Sequence, residues 1–318
     1  MAHRYALMLC VALSCARTPE TGTTTPGETS SVPQPAVQTA SVGPSQGSVE
    51  LWGGTPADLS NVVYQGQDKT VTLERRRDPA GVWFHGQEGN HRFVSISPMG
   101  KIVGQLAPLV ARQRIGEVPP ARLAAFGLSS PSDKLTIVIA GATQVLHLGG
   151  PAPDREHVYV RWAQDELVYV IDRSIVRDFR GGMMRLSERR QHAWASDEIE
   201  RVAVLAGDHR YEAVRSGTPG RRFWAAEATP NVQDETLAHW LAKIDRLRPV
   251  RFAALPSDAE KIVRVELAKA DSAIGFVELH YAASSDSYHL RTEHLRLAAE
   301  VAKGLAEEIR DDLGSLLP

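Results

Sequence analysis

Cysteine is nearly absent from this chain of 318 residues, and its position excludes several classes of site. The only two cysteines, Cys10 and Cys15, both lie within the first fifteen residues. The rest of the chain therefore contains no disulfide bond and no metal ion bound by cysteine.

The chain also lacks an excess of charge of either sign. Its formal net charge is -2, and acidic and basic residues alternate along the sequence rather than forming blocks. The densest basic clusters are Arg185, Arg189 and Arg190, and Arg221 with Arg222. Each cluster is flanked by acidic residues or by a Gly/Pro turn, which indicates solvated surface. We therefore expect no nucleic-acid partner and no binding to an anionic membrane face through charge.

A long apolar run is missing too, but a short one begins the chain. Residues 5–13 are apolar, follow Arg4 and precede Ser14, as in a cleaved export signal that is too short to span a bilayer. The sequence Val11-Ala-Leu-Ser-Cys15 resembles a bacterial lipobox, although Ala12 stands where Leu or Val is usual. We predict that residues 1–15 are a lipoprotein signal peptide and that Cys15 is lipidated.

Acylation of Cys15 would anchor the protein to a membrane without spanning it. The expected location is the bacterial envelope, at the outer membrane or the periplasmic face. The alternative is a plain secretory signal cut near Ser14, which would leave a secreted protein.

Residues 16–48 are rich in Pro, Ser, Thr and Gly and have almost no large apolar side chain. Such a segment cannot bury enough surface to offset its ordering entropy, so we predict a disordered tether. Gly43-Pro-Ser45-Gln-Gly47 matches a nucleophile elbow, but neither a strand precedes it nor a helix follows. We therefore do not assign catalysis to Ser45.

The remaining sequence contains no recognisable catalytic or cofactor motif. It has no HExxH sequence, no glycine-rich phosphate loop and no S-x-x-K sequence. His280, His289 and His294 lie near Asp286 and Glu293, but their spacing does not fit a compact zinc site. We predict that these side chains lie on strand and helix surfaces, and that the protein has no metal, no cofactor and no catalytic residue.

Two further groups of side chains are better explained by structural roles than by catalysis or ligand binding. The carboxylates Glu74, Asp165 and Glu166 have no identifiable acid–base partner. Four tryptophans fall at apolar strand or helix positions, where core packing is the favoured role and a carbohydrate platform the alternative: Trp83, Trp162, Trp224 and Trp240.

The order of predicted elements repeats once along the body of the chain. Paired strands, a strand containing Trp, a helix, several more strands and a closing helix occur in residues 49–184 and again in residues 185–318. In the second unit, Leu237, Trp240 and Ile244 predict an amphipathic helix with Asn231 or Asp234 as its N-cap. In the first unit the helix after the Trp strand is predicted near residues 102–114, and the closing helices are predicted at residues 173–179 and about 293–313. Turns between neighbouring strands favour antiparallel meanders, so the predicted class is α+β with two tandem similar units.

This order of elements resembles the domain-of-unknown-function 4340 family of bacterial envelope proteins. The residues that carry the resemblance are the strands before Trp83 and Trp224, Phe126-Gly127-Leu128-Ser-Ser-Pro131, a Leu148-Gly149 turn and Tyr159-Val-Arg161. The second unit departs from the pattern, because Leu255-Pro256-Ser257 replaces the Gly-Leu-x-x-Pro element.

The resemblance implies an architecture and a location, because that family has no established activity. Its genes often lie beside those of gliding-type ABC transporters. We therefore expect a non-enzymatic envelope lipoprotein that acts as a structural or interaction component, with an ABC transporter component as its protein partner. The alternative is a receptor that binds a small molecule or glycan in a cleft between the two units.

Overall fold

A computed structural model of the protein describes residues 47–317. Cys10, Cys15, Ser45, the predicted signal peptide and almost all of the predicted tether lie outside the described residues. The described residues belong to one compact unit. The predicted unit boundary at 184/185 falls inside a short helix, Met183–Leu186, so the first half is taken as residues 47–186 and the second as residues 187–317.

The first half contains eleven strands and four α-helices. The strands are β1 (Val49–Trp52), β2 (Leu59–Gln65), β3 (Thr70–Asp78), β4 (Gly81–Glu88), β5 (His91–Ser95), β6 (Leu109–Ala111), β7 (Gln113–Gly116), β8 (Asp133–Ile139), β9 (Ala142–Pro151), β10 (His157–Trp162) and β11 (Val168–Asp172). The helices are α1 (Ser97–Leu106), α2 (Pro120–Leu123), α3 (Arg173–Gly181) and α4 (Met183–Leu186), with a 3-10 turn at Ala124–Phe126.

The second half contains eight strands and two α-helices. The strands are β12 (Arg201–Ala206), β13 (His209–Thr218), β14 (Arg221–Ala226), β15 (Arg251–Ala253), β16 (Ala259–Lys269), β17 (Ser272–Ala282), β18 (Ser287–Thr292) and β19 (Ala298–Glu300). The helices are α5 (Glu235–Arg246) and α6 (Lys303–Leu316), with a 3-10 turn at Ser196–Glu198. The fold is α+β, as predicted.

Seventeen of the strands form one continuous antiparallel sheet. Following the pairings, its order is β7-β11-β10-β9-β8-β2-β3-β4-β5-β15-β19-β18-β17-β16-β12-β13-β14. The strands β1 and β6 pair separately. Since the pairings cross from the first half to the second through β5 and β15, backbone hydrogen bonding joins the halves.

Each half contains the same sequence of pairings. The order is β4-β3-β2-β8-β9-β10-β11-β7 in the first half. It is β14-β13-β12-β16-β17-β18-β19-β15 in the second. The tight turns after β8 and β16 also match, because Ala140 and Ala270 both have φ of 48°.

One hydrophobic core extends through both halves. Its members range from Leu51 to Leu316 and include the fully buried Leu73, Phe93 and Phe179. The alternation predicted for the strands is visible in β8, where Leu135, Ile137 and Ile139 are buried. A single core of this kind explains why the two halves do not separate into independent compact units.

The helix predicted at about residues 293–313 begins later than the sequence pattern suggests. Residues 298–300 instead form β19, which pairs with β15 and with β18. Ala298 and Ala299 are buried in this sheet rather than on a helix face. Alanine has a high helix propensity, but tertiary pairing overrides it here, and α6 starts only at Lys303.

Two predictions in the first half also need correction. The helix expected near residues 102–114 is α1, which ends at Leu106, and the residues after it form β6 and β7. The predicted Leu148-Gly149 turn does not occur, because β9 continues to Pro151. Gly149 is needed for another reason: a Cβ there would overlap the carbonyl oxygen of Phe126, which crosses over the strand.

The helix α5 follows the predicted pattern closely. Leu237, Trp240 and Ile244 are buried on one stripe, as expected. Asp234, one of the two predicted candidates, is the N-cap, and its Oδ1 accepts from the backbone N–H of Leu237 at 2.9 Å. The Asp234 carboxylate also accepts from the hydroxyl of Tyr211. Burial and this hydrogen bond raise the pKa of Tyr211 to about 12, so the phenol remains protonated as a donor.

Side-chain hydrogen bonds and an ion pair also connect the two halves. Arg296 Nε donates to Asp78 Oδ2 at 3.0 Å and connects the second half to the end of β3. Glu188 is buried, and its Oε2 accepts from the N–H of Ser97 at the start of α1 at 2.8 Å. A carboxylate at this position compensates the positive end of the helix dipole.

Candidate binding cavity

The second half contains a cavity of about 440 Å³ between α5 and the sheet. Its inner wall is formed by buried side chains of β12, β16 and β17, namely Val202, Val265, Leu267 and Val277. The segment that leads from α4 to β12 forms the third side and contributes residues 190–192, 194–196 and 199. This volume lies in the range of small-molecule sites.

The sequence of α5 explains why the helix leaves this space open. Leu237, Trp240 and Ile244 hold the helix on the core, whereas Ala238 and Ala242 face the cavity one helical turn apart. Their short side chains leave a recess between the helix and the apolar residues of the sheet. Gln191 fixes the far end of the helix, because its Nε2 donates to the carbonyl oxygens of Ile244 and Leu247, both at 2.8 Å.

Two tryptophans form the aromatic part of the lining. The Trp194 ring stacks on the His192 ring at a centroid distance of 4.1 Å, and its Nε1 donates to the carbonyl of Ile274 at 3.1 Å. The His192 ring is fixed in turn by Glu293 Oε1, 2.7 Å from Nδ1. Trp224 lies on the other side, beneath the guanidinium of Arg215. Both rings are therefore held in place before any ligand arrives.

The exposed lining residues are mostly polar and carry a net positive charge. Three arginines, Arg190, Arg215 and Arg248, line the cavity together with one acidic residue, Asp245. Arg215 Nη1 donates to the carbonyl of Ser196 at 3.0 Å, and Arg248 Nη1 donates to the carbonyl of Asp245 at 2.5 Å. The cavity thus combines an apolar interior with a cationic opening.

The three histidines singled out in the sequence are buried, so the expectation of surface positions is wrong. His280 and His289 face each other across β17 and β18. They are 6% and 3% exposed, and His294, which follows β18, is 5% exposed. Burial lowers the pKa of His280 and of His289, so both are neutral at neutral pH. Within residues 47–317 no group of three or more metal-ligating side chains is assembled, Asp286 and Glu293 included.

Next to these histidines, one serine lies within hydrogen-bonding distance of an imidazole. Ser287 Oγ is 2.9 Å from His289 Nε2, and Glu278 Oε2 is 3.3 Å from His280 Nε2. A nucleophile–base pair also needs a group that orients the base. In the described part of the chain, His289 Nδ1 has no hydrogen-bond partner to do so.

The other residues examined in the sequence have structural contacts. Glu74 pairs with Arg76, Asp165 accepts from the hydroxyl of Tyr169, and Glu166 pairs with Arg161. Trp240 is fully buried, which confirms its predicted core role. The other three tryptophans are partly buried and pack against the core: Trp83, Trp162 and Trp224.

Part of the motif set that carried the family resemblance, Phe126, Gly127, Gly149 and Tyr159, lies together in the first half. Gly127 has a positive φ of 68°, and a Cβ on it would come within 2.6 Å of the backbone nitrogen of Gly150. The ring of Phe126 contacts Tyr159 edge to face, with centroids 4.7 Å apart. These motif residues therefore allow the segment that contains Phe126 and Gly127 to cross closely over β9. This role is structural.

A second, more polar depression lies at the start of α3. It has a volume of about 630 Å³ and is lined by Arg112, Arg155, Glu156, His157, Asp172, Arg173, Ser174 and Arg177. Its arginines are accompanied by carboxylates, and it lacks a buried apolar wall. The cavity beside α5 is therefore the stronger candidate for a binding site.

No pattern along the sequence predicts this cavity. Trp194 and Arg215 lie in segments that predict only a connection and a strand, and their meeting depends on tertiary packing. The sequence feature that could have indicated the cavity is the pair Ala238 and Ala242, two small side chains next to the bulky apolar stripe of the helix.

Among the described helices, none is both long and apolar enough to cross a membrane.

The fold and the cavity define an α+β protein in which most strands form one continuous antiparallel sheet and a partly open cavity lies between that sheet and α5. Residues 97–269, more than half of the chain, match the family model described as "Domain of unknown function (DUF4340)", and the chain belongs to this family. The match confirms the resemblance seen in the sequence and includes most residues that line the cavity. No curated protein and no solved structure matches the chain.

Proposed function

We propose that this protein is a non-enzymatic binding component of the bacterial cell envelope, exported and anchored by a lipid on Cys15. The observation that carries the binding role is the cavity beside α5, with its apolar interior, two fixed tryptophans and cationic opening. Preformed apolar cavities with a few polar groups are typical of small-molecule sites. The receptor alternative considered from the sequence had its ligand in a cleft between the two units. The cavity instead lies within the second half, and we propose it as the ligand site.

An Ala238→Phe substitution tests the binding role. The added ring projects from α5 into the cavity, so we expect the variant to lose a small molecule that co-purifies with the wild-type protein from envelopes of the native cells. The measurement is mass spectrometry of organic extracts of the purified full-length proteins.

The matched control is His239→Phe, which places the same ring on an exposed position of α5 outside the cavity. This control should retain the ligand. Extracts without any specific compound in the wild type, or with equal amounts in all three proteins, would contradict a binding role. Circular dichroism checks that each variant is folded.

The proposed anchor predicts a lipid-sized mass increment on the membrane-extracted protein. Wild type should carry this increment and sediment with membranes, whereas a Cys15→Ala variant should lack both properties. Intact-mass spectrometry of the two forms provides the measurement. An unmodified wild-type chain that remains in the supernatant would favour the secreted alternative and remove the anchor from the proposal.

The proposed partner is an ABC transporter component, to which a binding lipoprotein would deliver its ligand. The support is the family resemblance noted in the sequence. A purely structural or interaction role is the second candidate, favoured by β14, which pairs only with β13 in the described part of the chain and so offers an edge for strand addition. Cross-linking of the membrane-bound wild type, followed by identification of the attached chain, distinguishes these partners.

We also propose that the two halves are tandem copies of one unit. The support is the matching order of eight strands in each half and the matching turns at Ala140 and Ala270. The helices occupy matching places in the chain as well, with α1 corresponding to α5 and α3 to α6. Under this proposal, a difference between the halves indicates where one copy has acquired a role that the other lacks.

A further inference from the structure

We propose that the cavity beside α5 binds an amphipathic carboxylate, a molecule with one apolar body and one carboxylate head group. This inference rests on the proposed binding function and specifies its ligand class. The apolar body would lie against the valines and leucine of the sheet, and the head group would lie at the arginine-lined opening.

The interior of the cavity favours a ligand whose body is apolar. Val202, Val265 and Val277 line its inner side and offer no hydrogen-bonding group. The Nε1–H group of Trp194, the only hydrogen-bond donor of its side chain, already donates to the Ile274 carbonyl. Polar atoms placed against this wall would lose their hydration without replacement, which is costly.

The opening of the cavity favours a ligand with a negatively charged head group. Arg215 and Arg248 form no ion pair with any carboxylate within residues 47–317, although each guanidinium is held by backbone carbonyl oxygens. Arg190 differs, because its Nε lies 3.8 Å from Glu188 Oε1. With Asp245 as the only acidic lining residue, the opening carries a surplus of positive charge. Guanidinium groups fixed in this way match the geometry of a carboxylate.

The first half has a different arrangement at the place that corresponds in the order of elements. The segment before β2 forms β1, which pairs with β6 and buries Trp52. Trp52 Nε1 donates to the Leu106 carbonyl at the end of α1, at 2.7 Å. In the second half the segment before β12 forms only a 3-10 turn, and Trp194 bonds to β17 instead of α5. The cavity is therefore a specific departure of the second half from the packing of the first.

Two matched probes test the ligand class on the full-length protein with Cys15→Ala, which has no acyl chain of its own to compete. The probes are ω-bromododecanoate and ω-bromododecanol, used below their aggregation concentrations. Bromine quenches tryptophan on contact, so quenching reports occupancy beside Trp194 and Trp224. We expect the carboxylate to bind about tenfold or more tightly than the alcohol, as a charge-assisted hydrogen bond allows.

Arginine variants then locate the head group. Arg215→Gln and Arg248→Gln should each reduce the affinity for the carboxylate several-fold and leave that for the alcohol unchanged. Arg222→Gln, an exposed arginine outside the cavity, is the control and should change neither. Equal binding of the two probes would overturn the carboxylate inference and leave the binding function standing. Absence of quenching by either probe would overturn both.

Discussion

Replacing Trp240 by alanine is expected to lower the free energy of unfolding by about 3–5 kcal/mol. Trp240 is 1% exposed and is the largest of the fully buried side chains. Its Nε1 donates to the carbonyl of Ile309 at 2.9 Å, so the side chain joins α5 to α6 as well as filling the core. Removal leaves a cavity and breaks the hydrogen bond that joins the two helices. Urea unfolding followed by circular dichroism gives the measurement.

Two further variants separate these contributions. Trp240→Phe keeps most of the apolar volume and loses the hydrogen bond, so it should cost clearly less than the alanine variant. Val232→Ala removes an apolar side chain that is 62% exposed and should change the free energy of unfolding by no more than about 0.5 kcal/mol. A Trp240→Ala cost as small as that of Val232→Ala would contradict the structural role assigned to α5.

The second large effect is expected from Glu188→Gln, at about 3 kcal/mol. The Glu188 side chain is 2% exposed and accepts from the backbone N–H groups of Ser97, Arg189 and Arg190 at 2.8 to 3.0 Å. Its Oε2 also lies 3.5 Å from Nε2 of His294. Glutamine places an amide donor among these donors, and α1 loses the negative charge at its N-terminus. Glu117→Gln, an exposed carboxylate without an ion pair among the described residues, is the control.

The pH dependence of stability provides an independent check on Glu188. Burial acts to raise its pKa, but the imidazole of His294 and the donors from Ser97 and Arg190 outweigh burial and hold the pKa below its ordinary value of 4.5. The stabilisation is therefore complete above about pH 4.5 and is lost as the pH falls towards the folded-state pKa. We expect Glu188→Gln to show a flatter loss of stability in this acidic range than wild type. Parallel curves for the two proteins would contradict the assignment.

The sequence predicted best where a local pattern has a single physical meaning. The stripe of Leu237, Trp240 and Ile244 predicted α5 and its N-cap, since spacing and capping are properties of one segment. Alternation predicted β8 and β16 for the same reason. The prediction failed at Ala298 and Ala299, whose helix propensity is overridden by pairing with β15, a strand distant in the chain.

The binding cavity shows the limit of such patterns. Its lining comes from the connection before β12, from five strands and from α5 and the residues that follow it, and no spacing along the chain indicates that these segments meet. The same holds for the histidines. The sequence placed His280 and His289 on strands, but only the pairing of β17 with β18 sets them side by side and buries them.

By itself, the sequence determined the α+β class, the family, most of the strands, and the absence of cysteine chemistry from residue 16 onwards. These properties depend on composition and on periodicities within single segments. Only the tertiary structure decided that both halves share one sheet and one core, that Gly149 accommodates a crossing backbone, and that Ala238 and Ala242 leave a space beneath α5. Each of these depends on contacts between segments far apart in the chain, and such contacts follow from how whole elements pack.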